Sequence, residues 1–141
     1  MKRRRWLSLL PLLYASTLAG CSGGGCASHM VSRHADPGSD LVAYVLKRDC
    51  GATTDFATNV AIGKRAENLA EALVVFTADA DHGAAFQEDG GAIWLRAAWT
   101  APRTLSIAFA EKSRVFKKLE SANGAVIRYR ASNPAELPPV P

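Results

Sequence analysis

Two short polar segments hold most of the side chains that could do chemistry. One is Asp49-Cys50-Gly51-Ala52-Thr53-Thr54-Asp55, and the other is Asp79-Ala80-Asp81-His82-Gly83. In the cysteine segment, glycine permits a tight turn, while the aspartates and threonines can bond neighbouring backbone. Asp49, Cys50, Thr53, Thr54 and Asp55 therefore outline either a polar pocket for a ligand or partner, or a turn stapled by its own side chains around a buried thiol. The stapled turn is favoured, because each residue has a turn-building task. In the histidine segment, Asp79 and Asp81 alternate before a glycine as oxygen ligands do in calcium loops, but the full twelve-residue pattern and its closing glutamate are missing. With His82 they could hold a transition metal or supply a general base. A solvated turn rich in Asp and Gly is the plainer and favoured alternative, also for Glu88 and Asp89 just beyond. Cys50 and His82 would make a nucleophile–base pair only if the fold brought them together. The chain has no nucleophile elbow, zinc-type histidine pair or phosphate-binding glycine loop. No catalytic residue, metal or cofactor is assigned.

The elements that must position these loops read as strands. Residues 41–47 form an apolar run suited to a strand covered on both faces. Residues 56–62 alternate as a half-buried strand does, and residues 73–77 are β-branched and aromatic. Residues 93–99 carry Trp94 and Trp99, five apart and so on opposite faces; both packed is the favoured outcome over one exposed platform. Leu105, Ile107 and Phe109 share a face. Asn123-Gly124 is a two-residue hairpin signal, expected to join a strand at 115–120 to one at 125–130. Residues 64–73 have helical composition, so a short helix or a loop is expected there. The expectation is an all-β domain of six to seven strands, an antiparallel meander or sandwich with at most one short helix.

The first twenty residues have the character of a targeting segment. Lys2, Arg3, Arg4 and Arg5 precede an apolar stretch at 6–17, too short to span a bilayer. Leu18-Ala19-Gly20-Cys21 then resembles a lipobox, which implies cleavage before Cys21 and a lipid-modified Cys21 as membrane anchor. Ser22 in the next position implies sorting to the outer membrane, facing the periplasm. Residues 21–39 are rich in Gly, Ser and His and read as a flexible tether. The domain is then expected at 40–131, with a Pro-rich disordered tail at 132–141.

Of the three cysteines, Cys26 and Cys50 either pair in an oxidising compartment, or Cys26 is a passenger of the tether and Cys50 a buried free thiol. The position of Cys26 within the tether favours the second.

The chain has 17 basic and 13 acidic residues, but four of the basic ones lie in the first five positions. From Cys21 onward the charges balance, and with no basic block a nucleic-acid partner is not expected.

The segment DCGATTDF at 49–56 and the following NVAI resemble a group of small proteobacterial envelope lipoproteins. The likeness continues at Val75-Phe76, the acidic loop at 78–85, Gly90-Gly91, the tryptophan strand, Arg114-Val115-Phe116-Lys117 and the strand at 124–129. The resemblance implies an envelope location and carries no activity with it. The expected function is a membrane-anchored binding module, with another envelope protein or a neutralised toxin as partner. The alternative is a small envelope hydrolase or metal-binding lipoprotein using Cys50, His82 and the acidic loop.

Overall fold

A computed structural model describes residues 25–134. The expected signal peptide, the expected lipidation site Cys21 and the tail beyond residue 134 lie outside these residues. Among the described residues the protein is all-β, in two sheets. Sheet one has the order β1(Ala27–Ala35), β2(Leu41–Asp49), β3(Ala57–Lys64), β4(Leu73–Asp79), β7(Arg114–Lys118), and every neighbouring pair is antiparallel. Sheet two has the order β5(Leu95–Ala101), β6(Thr104–Ala110), β9(Ala125–Ser132), β8(Ser121–Ala122).

Alternation builds the core. Leu105, Ile107 and Phe109 of β6 point inward with Leu95 and Ala97 of β5 and Ile127 of β9, and meet Leu41, Ala43 and Val45 of β2, Val60 and Ile62 of β3 and Phe76 of β4 in one buried cluster. Face-to-face burial of this kind makes a sandwich. Phe76 sits at its centre, 4.9 Å from the Phe109 ring and 5.7 Å from Tyr129 between ring centroids. The opposite side of β2 is also covered. Val42, Tyr44 and Leu46 pack there with Leu69 of a single 3-10 turn, Leu69–Glu71, and with Ala72 just after it; this is the only helical turn among the described residues of the β3–β4 connection. The Asn68 N–H donates to the Glu71 carboxylate and the Glu71 N–H to the Asn68 carbonyl, closing the start of that turn.

Five expectations need correction. The tether reading fails from residue 27 on, because β1 is a nine-residue strand paired along β2. Its side chains are mostly exposed, and edge pairing through backbone hydrogen bonds needs no apolar pattern. Asp36, also placed in the tether, is buried and accepts N–H groups from Gly38 and Arg103 and the Ser39 hydroxyl, which ties the β1–β2 turn to the β5–β6 turn. At the other end, Ser132 is a buried part of β9 and not tail. The strand expected at 115–120 does not pair with 125–130: β7 is the edge of sheet one beside β4, and only Ser121 and Ala122 pair across the Asn123-Gly124 turn. The φ values of +51° and +78° there match the hairpin turn that Asn-Gly favours. Finally, β9 lies parallel to β6, so the molecule is not a pure meander, and β3 is buried on both faces rather than one.

Both tryptophans pack. Trp94 is buried, and Trp99, packed against the core, donates its indole N–H to the His34 carbonyl at 2.9 Å, joining the two sheets.

Candidate functional site

The β2–β3 loop and the β4–β5 connection, the two segments singled out from the sequence, meet at one end of sheet one. The chain reverses between β2 and β3 through a turn in which Asp49 accepts the Gly51 N–H at 2.9 Å. Thr54 closes it by donating its own N–H and hydroxyl to the Gly51 carbonyl. Asp49 and Thr54 are thus turn builders. Asp55 instead reaches across to the other loop. Its carboxylate accepts the His82 N–H at 2.7 Å and lies 3.7 Å from the His82 ring Nδ1.

The other loop leaves β4 through consecutive residues with positive φ, Asp81, His82 and Gly83. Asp and His tolerate this region better than most residues. Asp79 fixes the bend by accepting the Asp81 N–H at 2.9 Å. The same carboxylate receives two hydrogen bonds from the Arg114 guanidinium at the start of β7, and Arg114 lies 3.6 Å from Asp81 as well. Burial pushes the Asp79 carboxyl up, but the Arg114 hydrogen bonds, the Asp81 N–H and the nearby positive charge outweigh it and hold it below the ordinary value. The Arg114 guanidinium also stacks over the Phe116 ring, 5.2 Å from its centroid.

The result is an open cleft of about 480 Å³ lined by Cys50, Thr53, Thr54, Asp55, Asp79, His82, Arg114 and Phe116. Phe116 is 60% exposed. Arg114 and Phe116 were missed as site residues. Their alternation in Arg114-Val115-Phe116 places both on one face of a strand, but their nearness to Asp79 depends on a strand pairing 35 residues apart.

Two chemical readings lose their key residue. Cys26 and Cys50 form a disulfide, with Cα atoms 4.1 Å apart. The free-thiol alternative favoured from the sequence is therefore corrected: β1 pairing sets Ala27 opposite Asp49, and Cys26 falls beside Cys50. A thiolate is the nucleophile in cysteine chemistry, so the Cys50–His82 pair cannot act while the bridge is closed, although both residues do line the cleft. As for a metal, Asp79 is committed to Arg114, and no group of three or more His, Cys, Asp or Glu side chains among the described residues could hold one. Glu88 and Asp89 lie apart, in a shallow depression with Phe86 and Gln87, where Glu88 pairs with Arg96 at 2.7 Å.

What the cleft offers is contact. It has an exposed ring, a guanidinium, an exposed imidazole and carboxylates, all held on a frame of hydrogen bonds. Comparisons with protein-family models, with curated proteins and with solved structures return no match for this chain.

Proposed function

We propose that the protein is an envelope lipoprotein, anchored through lipid on Cys21 and facing the periplasm, whose β-sandwich works as a binding module. The lipobox-like segment at 18–21 and the resemblance around DCGATTDF support the anchoring half. The observation that carries the binding half is the convergence of two loops and an edge strand on one cleft whose only thiol is locked in a disulfide. Edge strand β7 adds an unpaired backbone row and the exposed Phe116, the combination used when an extended segment of a partner adds to a sheet. The carboxylates of Asp55 and Asp79 in the cleft outnumber the Arg114 guanidinium, which favours a basic contact residue on the partner. Another envelope protein, or a toxin neutralised by this chain, fits that description.

The test has two arms. Metabolic labelling with palmitate and membrane fractionation compare the wild type with Cys21→Ala. Label and membrane residence are expected for the wild type and lost in the variant; no label on the wild type overturns the anchoring. Affinity capture from detergent-solubilised envelopes then compares the wild type with Phe116→Ala. A partner retained by the first and lost at least tenfold by the second is expected, and repeated recovery of no partner overturns the binding reading.

A further inference from the structure

The disulfide and β1 change how far the domain can stand from a lipid on Cys21. Had residues 21–39 been free, the domain could have moved several nanometres from the bilayer. Instead, Cys26 is bonded to Cys50, and β1 is paired to β2 from Ala27 onward. Only residues 22–25 remain between the anchor and the pinned chain. Five peptide units, whatever their conformation, span at most about 17 Å. The Cys50 Cα lies 4.1 Å from that of Cys26, and Cys50 is itself a wall of the cleft.

We infer that the cleft works at the bilayer surface, and that its occupant is a juxtamembrane segment of a membrane-resident protein. The inference rests on Cys21 being lipidated. It follows because the anchored sulfur, the disulfide and the cleft wall form one short covalent path with no hinge longer than four residues. The opposite end of sheet one, with Asp36 and the β3–β4 connection, is about 27 Å away along β2, taking nine residues at the usual rise. A gap of at most about 17 Å beneath the pinned end accepts a single helix, which is about 10–12 Å across, or an extended segment. A folded domain of a hundred residues, with a radius of gyration near 13 Å, does not fit into it.

The bridge has a definite part in this. β1 pairs on one side only, and its first residues are exposed, so an unbridged β1 would fray from Ala27 towards its bulge at Val31 and lengthen the leash.

The test uses the full, processed lipoprotein purified in detergent and reconstituted into phosphatidylethanolamine–phosphatidylglycerol vesicles containing a nitroxide-headgroup lipid. A fluorescent unnatural residue replaces Thr53 on the cleft or, separately, Glu67 at the far end. Strong quenching at position 53 is expected, together with a several-fold drop when twenty Gly/Ser residues are inserted after Gly23. Quenching at 53 that is absent, or unchanged by the insertion, overturns the inference. If the protein fails to float with vesicles, or floats equally as Cys21→Ala, the anchoring reading itself has failed and the inference falls with it. In cells, a photo-crosslinker at position 53 is expected to trap a partner that is itself membrane-embedded, with a yield falling several-fold in the long-leash variant. A soluble partner, or a yield indifferent to the leash, overturns the assignment of the occupant.

Discussion

The carboxylates of Asp36 and Asp79 show how single buried residues order the turns of this fold. Each is buried, which pushes its carboxyl up, and each is nevertheless held below the ordinary value of 3.8 by the hydrogen bonds it accepts. A carboxyl with a depressed folded pKa contributes stability that is complete above its unfolded value and is lost as pH falls through the folded one. These two contributions are therefore expected to be lost only as pH falls below the ordinary carboxylate range. Arg114→Ala removes the largest group holding Asp79 down and leaves burial to push it up. Its acid transition, followed by circular dichroism, is expected to begin at a higher pH than that of the wild type; an unchanged transition would show that the pair is inert. Phe76 is the apolar counterpart, fully buried between two aromatic rings. Phe76→Ala is expected to cost about 3–5 kcal/mol, read as a lower urea midpoint.

At the scale of elements, the connections matter more than the strands they join. The β4–β5 connection is docked onto sheet one by three bonds from separate elements: Ile93 N–H to the Thr58 hydroxyl, Lys47 Nζ to the Gly90 carbonyl, and the Asp55–His82 link. Gly91 lies under the Phe56 ring at φ +86°, and an added Cβ would sit 2.3 Å from that ring. Gly91→Ala is expected to destabilise by about 1–3 kcal/mol and to raise hydrogen exchange in residues 80–94 ahead of the rest; uniform change would argue against local docking. Much of the frame was legible in the strand composition of residues 41–47 and 73–77 and in the alternation of residues 105–109, because core-facing positions repeat every second residue. Less legible was whatever depends on a distant partner. β1 was hidden because an edge strand solvated on its outer side carries Ser, His and Arg as readily as a tether does. β7 was assigned to the wrong neighbour because Asn123-Gly124 announces a turn but not how many residues pair across it. The cleft was half legible: both loops stood out by composition, whereas Arg114 and Phe116 reach them only through the β4–β7 ladder.

For the whole molecule, the Cys26–Cys50 bridge closes a loop across a sequence separation of 24 residues. In the chain-entropy model a bridge of that span contributes about 3 kcal/mol. Cys26→Ser with Cys50→Ser is expected to lower the stability of the domain by roughly that amount while the sandwich core persists, since neither cysteine belongs to the buried core cluster. Chemical denaturation with and without reductant checks it, and the double variant should be insensitive to reductant. A loss of cooperative unfolding would mean that β1 is needed for the core and not only for the edge.

The parallel pairing of β6 with β9 has a consequence for the order of assembly. The first four strands can join as successive neighbours while the chain is still being delivered, each closing on the one before. Before β9 arrives, only β5 and β6 of the second layer can do so. β9 supplies the interior strand between β6 and β8 and is the last strand of the domain, while β7, two elements earlier, must return to the far edge of the first layer. Until both arrive, the inner face of β2, β3 and β4 has nothing complete to cover it. Late closure through distant pairings slows folding and keeps the chain open for longer. A polypeptide so arranged is still loose while its leading end is already in place, and it locks only when its trailing end follows.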